Sequence, residues 1–552
     1  MMEKKNGWII SILSQLGLIA AAAVIFAGSF PNLLFENGLP FLAWFAYIPI
    51  LLVIHRSNFL ACIAWGVIYG FASYGLFNYW LGVFHPMAGT IVYGIYMFYL
   101  AVVFLLLKLA DVLYPNRSYI VQWTIWLAFE YLRTKGFLGY SYGITGYSQW
   151  RVIPLIQIAS LTGVWGVSAL VTFPSFWLAS ALRDWRLPEG IRGIGRAAAV
   201  FFRKEAIPAV LWIAALSSSL VFGVVSNRDF SSYPTAQIAL IQHNTDPWQA
   251  TKAPTLWQIN QAYRKDLEIL KRLSDEAITS HPKPQLVVWP ETAFVPRIHW
   301  HLTYRDDQDS WILVRELFEY LSGRDVPFLI GNDDARMEPA KNPDQYDSYR
   351  VDYNASILFI NGEMAELYRK LHLVPFTEHF PYRKQLPFLY NALIRADTHF
   401  WEKGDEPTVF QGPGFSFSTP ICFEDTFGYL SRNFVLRGAD ALVNISNDAW
   451  SKSLPAQNQH LSMAVFRAVE NHRSMVRSTV SGQTCAVDPN GRVIAMAVPF
   501  TEAWLNVAIP LVTGNTLYTR YGDYLALAFT SASVILLLFA AVWCTIRRGL
   551  KR

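Results

Sequence analysis

The chain has 552 residues, of which 53% are hydrophobic and only 16% charged, with 20 Trp. This length leaves room for several domains, and the composition belongs with membrane proteins and excludes a disordered chain. A net charge of +5 needs no nucleic acid to explain it, and four cysteines (Cys62, Cys422, Cys485, Cys544) make a poor disulfide framework.

Lys4 and Lys5 precede an apolar run over 7–30. The layout resembles a signal peptide, but the run has full spanning length and no convincing small-residue cleavage site. Further apolar runs follow at 39–54, 59–84, 89–112, 119–132, 155–182 and 206–225, those at 39–54 and 119–132 being short. After residue 225 the chain turns charged and turn-rich until about 523. A last apolar run, 524–546, ends in Arg547-Arg548 and Lys551-Arg552. The expectation is about eight spans: seven within 1–230, a soluble domain over 231–515, and a final span with a basic tail over 516–552.

Lys and Arg in short loops set orientation. With eight spans, the N-terminus, the His55-Arg56 turn and the loop holding Arg183, Arg186, Arg192, Arg196, Arg203 and Lys204 fall on one side with the C-terminal cluster. That side is expected to be cytoplasmic, so the soluble insertion faces outward. Arg133, Lys135 and Arg151, in an outer loop, count against this.

The soluble part alternates strands and helices. Residues 236–242 form an apolar strand followed by His243 and Asn244. Residues 257–273 have helical spacing, with Arg264, Lys265, Lys271 and Arg272 on the wet side. The run 285–289 is closed by Pro290, and 326–331, 415–421 and 441–445 read as further strands, with a helix over 457–473. Asn361-Gly362 and Asn490-Gly491 each sit between strand-like runs, which is a hairpin signal. The pattern argues for a two-layer α/β or sandwich core.

Three residues stand where such strands end. Cys422 closes the run 415–421, Glu291 follows Val288-Trp289-Pro290, and Lys370 lies in Tyr368-Arg369-Lys370-Leu371. Singly, Glu291 and Lys370 read as surface charges and Cys422 as a small buried hydrophobe. Together they supply what acyl transfer through a thiol requires: a carboxylate to take the proton, a thiol to attack, and an ammonium to meet the oxyanion. His299-Trp300-His301 and the pair His372/His379 lack the acidic or Cys partners of a zinc site. No Gly-rich phosphate loop is present. Neither a metal nor a cofactor is expected.

The three segments resemble the Glu-Lys-Cys triad of the nitrilase superfamily. The whole chain, from first span to last, resembles the apolipoprotein N-acyltransferase family. The resemblance is carried by Trp289-Pro290-Glu291-Thr292-Ala293, the run from Lys370 to Glu378, Ile421-Cys422-Phe423-Glu424, Ser446-Asn447-Asp448-Ala449-Trp450 and Tyr518-Thr519-Arg520-Tyr521-Gly522-Asp523. The pattern Gln157-Ile158-Ala159, Gly163, Gly166-Val167-Ser168 also fits. Departures are Phe423 where Tyr is usual, Ser451-Lys452 where Phe-Gly is usual, and Val480-Ser481-Gly482 where an Asn-containing turn is common. They bear on substrate preference more than on reaction type.

The resemblance implies a polytopic helical bundle carrying an extracytoplasmic α-β-β-α sandwich, in the bacterial inner membrane and acting as a monomer. It implies Cys422 as nucleophile, Glu291 as general base and Lys370 as oxyanion donor, with Glu378 and Glu424 supporting Lys370 and the thiol region. The acyl donor would be a phospholipid and the acceptor a diacylglyceryl-apolipoprotein, with a thioester between. The loops 295–304 and 379–401 would cover the pocket and meet lipid. Two rivals stay open at this point: a membrane-tethered amidase passing its acyl group to water, and a non-catalytic membrane binding protein.

Overall fold

The structure is a computed structural model that describes residues 2–84, 87–183, 205–246, 255–339, 350–396 and 398–549. Arg186, Arg192, Arg196, Arg203, Lys204, Lys551 and Arg552, invoked above for orientation, lie outside these residues. The chain divides into two units. One comprises Met1–Gly82, Gly89–Ser226 and Asp523–Arg552, the other Val83–Ala88 and Asn227–Gly522.

In the first unit, six of the described helices are long and apolar enough to cross a membrane: Ile9–Ser29, Phe59–Phe77, Ala88–Leu113, Val164–Ala181, Ala206–Val225 and Tyr524–Trp543. Two of the eight expected runs are shorter helices, Ile48–Arg56 with 9 residues and Ser118–Leu132 with 15. The run at 155–182 is broken near its start, because Gly163 takes φ +67 and ends one helix before Val164 opens the next. Helices Phe59–Phe77 and Ala88–Leu113 meet at Gly66 and Gly70. A Cβ at either position would lie within 2.5 Å of the Leu100 or Tyr96 carbonyl oxygen, so only glycine permits the approach. Arg133 and Lys135 are held inside this unit: Arg133 donates to the Tyr142 carbonyl at 2.8 Å, and Lys135 pairs with Asp523 at 3.0 Å.

The second unit holds two six-stranded sheets. The first contains β1 (Thr235–Gln242), β2 (Leu286–Val288), β3 (Phe328–Met337), β4 (Arg350–Ile360), β5 (Glu363–Arg369) and β12 (Ala503–Pro510). The second contains β6 (Phe410–Gly412), β7 (Phe415–Ser418), β8 (Ala441–Ser446), β9 (Ser474–Thr479), β10 (Cys485–Val487) and β11 (Val493–Met496). Their orders are β12-β1-β2-β3-β4-β5 and β11-β10-β9-β8-β7-β6. Each has a parallel centre, β1-β2-β3 or β7-β8-β9, with antiparallel flanks. The parallel centres match the fully buried patterns of β2, β8 and β9.

Helices Leu256–Thr279 and Gln308–Ser322 lay Leu267, Leu270, Leu273, Leu313, Val314 and Leu317 against Val287, Phe328, Ile330 and Ile357 of the first sheet. Each buried leucine contributes roughly 1.5–3 kcal/mol relative to exposure. Helices Gly428–Leu436 and Leu454–Asn471 flank the second sheet. Ser478 of β9 ties the sheets together, its Oγ lying 2.9 Å and 3.0 Å from the carbonyl oxygens of Ile241 and Val288. The result is a helix–sheet–sheet–helix sandwich.

β3 runs on to Met337, past the expected end at Gly331. Asn332-Asp333-Asp334 has turn composition, but ten residues of β3 find register with β4. The hairpin at Asn361-Gly362 has φ +51 and +79, the left-handed pair that an Asn-Gly turn supplies.

Candidate active site

The short strand β2 ends at Trp289-Pro290, and the chain then turns through Glu291 to Thr292 at φ +48. Gly331 of β3 lies directly beneath that turn. A Cβ there would stand 2.3 Å from the Pro290 oxygen and 2.8 Å from Glu291 Cα. Glu291 is buried, and all its close partners donate to it. Oε1 accepts from Asn354 Nδ2 at 2.8 Å and from Lys370 Nζ at 3.4 Å; Oε2 accepts from the Asn447 N–H at 2.8 Å.

Lys370 is the first residue after β5, and its N–H still bonds the Asn354 carbonyl at 2.8 Å. Its side chain is fully buried and reaches Glu378 Oε1 at 2.8 Å. Glu378 Oε2 accepts the Val374 N–H at 2.9 Å, which fixes the carboxylate against its own loop. Burial by itself pulls the Lys370 pKa down, but Glu378, Glu291 and the Cys422 sulfur outweigh it and the net direction is up. Lys370 therefore remains an ammonium. Burial raises the pKa of Glu378, with Lys370 opposing.

Ile421 bridges Ile445 beside β8, and Cys422 then opens a short 3₁₀ turn, Cys422–Thr426, at φ +50. A non-glycine residue there costs on the order of 1 kcal/mol or more, and the surrounding bonds hold it in place. Asn444 Nδ2 donates to the Pro420 oxygen at 2.9 Å and the Cys422 oxygen at 3.3 Å. The thiol is half-buried. Burial, then Glu291, push its pKa well above the ordinary thiol value, with Lys370 opposing.

Glu424 is fully buried and acts on backbone rather than on the Lys370 ammonium. It accepts the N–H groups of Leu371 at 2.7 Å, His372 at 2.9 Å and Ile421 at 2.8 Å, together with the Tyr368 hydroxyl at 2.9 Å. One carboxylate thus clamps the chain after Lys370 to the chain before Cys422. Burial pushes its pKa up to about 7. Glu291, Lys370 and Glu378 are brought into direct contact, Cys422 lies within their field, and Glu424 holds the two turns together.

Reading the sequence alone missed Asn354, Asn444 and a buried ion network behind the thiol. Arg477 of β9 pairs with Asp425 and, at 3.1 Å, with Asp448; His460 lies 2.7 Å from Asp425 and 3.0 Å from Asp448. The available signal was charge at an inward position, Arg477 within the strand Ser474–Thr479; His460 stands among Gln457, Asn458 and Gln459 in its helix and gave no comparable signal. Phe423 packs edge-on to Phe427 at 5.0 Å, Ser451 caps the Asp448 carbonyl at 3.1 Å, and Val480 bonds Ser446 and Asn244 through its backbone. The loop at 295–304 contains the helix Ile298–Thr303. The loop at 379–401 contains Pro387–Arg395, whose Phe388 is 71% exposed.

Residues 237–517 match the family described as carbon-nitrogen hydrolase, and residues 16–177 the one described as apolipoprotein N-acyltransferase N-terminal domain. A protein of Treponema denticola named apolipoprotein N-acyltransferase 1 is 41% identical, covering 99% of both chains. One of the same name from Treponema pallidum is 44% identical, covering 97% of both. The chain belongs to the apolipoprotein N-acyltransferase family. Among solved structures, an amidase from Nesterenkonia sp. aligns at 17% identity and a TM-score of 0.35, over 52% of this chain and 94% of its own. The acyltransferase family match leaves the membrane helices and the sandwich each with a counterpart, since the two matched segments fall one in each unit.

Proposed function

We propose that this enzyme moves an acyl chain from a phospholipid to the α-amine of an S-diacylglyceryl-cysteine at a lipoprotein N-terminus, through a thioester on Cys422. The near full-length likeness to proteins named apolipoprotein N-acyltransferase supports the acceptor class. The observation that carries the chemistry is the buried ammonium of Lys370 between Glu291 and Glu378, beside a thiol.

The Cys422 thiol is protonated at rest, so its proton leaves as the sulfur attacks. Glu291 takes that proton while the S–C bond forms at the sn-1 ester carbonyl, and the oxyanion meets Lys370. Collapse breaks the ester C–O bond, and the lysophospholipid leaves with the proton from Glu291. In the second half the free amine attacks the thioester, C–N forms as C–S breaks, and the sulfur regains a proton through Glu291. Both substrates carry chains that are costly to expose to water, which suits a protein with a membrane unit. The reading includes a monomer in the bacterial inner membrane with Cys422 on the periplasmic side. Its support is the loop-charge bias, in which Arg133, Lys135 and Arg151 are outweighed by the basic residues assigned to the other side.

Incubation with phospholipid alone is expected to add one acyl mass, labile to hydroxylamine, on the peptide holding Cys422. Addition of a diacylglyceryl-cysteine peptide should then move that mass to the peptide amine. An acyl mass on another residue, or full activity in Cys422→Ala, would sink the assignment. Release only as free fatty acid in the presence of the peptide would make the protein a hydrolase.

A further inference from the structure

β3 and β4 pair so that Asp333 lies opposite Asn354, and opposite residues of an antiparallel pair share a face. Asn354 donates to Glu291, so Asp333 stands one side chain away from the proposed proton acceptor. A carboxylate only accepts, so Asn354 turns Nδ2 toward Glu291 and Oδ1 away from it. That Oδ1 and the Oδ1 of Asp333 are both buried, and neither has a hydrogen-bond partner among the described residues. Asp333 is 7% exposed and Asn354 2%. Interiors rarely leave such acceptors unpaired.

The nearby cations are engaged elsewhere. Arg297, Arg350 and His399 all lie 3.1–3.2 Å from Asp352, whereas Asp333 forms no ion pair among the described residues. Burial pushes the Asp333 carboxyl up to about 6; Arg297, His399 and the Trp401 indole pull it down and Asp352 pushes it up. Above that value the site holds one carboxylate oxygen and one amide oxygen without a hydrogen-bond partner among the described residues, with the Trp401 indole beside the same carboxyl. Its complement is a group with several N–H donors and a positive charge, the description of a primary ammonium.

We propose that Asp333, with the amide oxygen of Asn354, binds the α-ammonium of the acyl acceptor ahead of the second half-reaction. This rests on the acyltransfer reading above. The ammonium passes one proton to the Asp333 carboxylate, and the resulting amine attacks the thioester carbon. The second proton leaves as C–N forms and C–S breaks, and it returns through Glu291 to the sulfur. Asp333 then releases its proton to solvent, so the cycle closes without a further reactant. A water molecule would also satisfy these two oxygens, and the test separates the alternatives.

The experiment isolates the acyl-enzyme of the full-length wild type and of Asp333→Asn. It then follows thioester loss to a diacylglyceryl-cysteine peptide and, separately, to hydroxylamine, which is uncharged at neutral pH. Acylation and hydroxylaminolysis are expected to match wild type within about twofold. The KM for the peptide amine should rise on the order of tenfold to a hundredfold, as loss of a charged hydrogen bond predicts. That KM should also climb in wild type, and not in the variant, as pH falls through about 6. Unchanged peptide KM, or a parallel fall in acylation and in both rates of thioester loss, would overturn the proposal and leave Asp333 a structural residue. If wild type forms no thioester, or none that the peptide accepts, the functional reading fails and the proposal with it.

Discussion

Lys370 and Glu291 are oppositely charged neighbours with different tasks, and their replacements should fail differently. Lys370 is held by two carboxylates and stays charged, so it serves as a fixed donor. Arg in its place keeps the charge but brings a planar fork into a pocket shaped for a compact ammonium. Lys370→Arg and Lys370→Met are both expected to lose acylation on the order of a hundredfold or more, at every pH, by single-turnover mass spectrometry. Glu291→Gln removes the base and keeps the shape. An ordinary thiol would recover rate near pH 8.5 or so, but burial moves Cys422 well above that value. Removing the Glu291 charge relieves only part of the shift, so recovery should begin above the ordinary range. Wild-type acylation by Glu291→Gln at neutral pH would remove Glu291 from the role.

The turns that carry these residues depend on single contacts between elements. Gly331→Ala would press a Cβ onto the Pro290 oxygen and the Glu291 backbone, and backbone cannot swing aside as a side chain can. The expected outcome is a folded protein with acylation reduced on the order of tenfold to a hundredfold, since a 1 Å misplacement has that scale of cost. Unchanged acylation would mean that the turn at Glu291 tolerates displacement. Glu424→Gln presents an amide NH₂ to a site built from N–H donors. It should destabilise the catalytic unit by roughly 1–3 kcal/mol in a denaturant melt, and slow acylation although Glu424 touches neither Nζ of Lys370 nor the sulfur.

Across the whole molecule, the network behind the thiol gives stability a pH dependence. Burial alone would keep His460 neutral, but Asp425 and Asp448 raise it to about 9, with Arg477 opposing. A histidine whose folded pKa exceeds its unfolded value, roughly 6.5, contributes stability that is complete below the lower value and is lost as pH rises through the upper one. Melting temperature of the wild type is therefore expected to fall between about pH 6.5 and 9 more steeply than that of His460→Gln. Parallel curves would show that His460 is not protonated in the fold. Orientation is tested at the same scale. A reporter fused near Asn342 should behave as exported and one near Gly193 as cytoplasmic, both positions lying outside the described residues. The reverse pattern would overturn the periplasmic placement.

Sequence by itself determined the elements whose signal is local. Long apolar runs marked the six long helices, Asn361-Gly362 marked its hairpin, and Glu291, Lys370 and Cys422 stood out as candidates because each closes a strand-like run. Local signals failed where pairing decides. Gly163 splits a run that hydropathy reads as continuous. The acidic residues of β3 become strand only because β4 lies alongside, and β12 finds its register on β1 across more than 250 residues. Tertiary structure alone gathered Asn354, Asn444 and the Arg477 network around the thiol, and alone gave Glu424 its bonds to the chain after Lys370, because each works through a partner distant in the chain. It alone left the oxygens of Asp333 and Asn354 unpaired, since burial and hydrogen bonding are properties of the assembled core that no stretch of sequence contains.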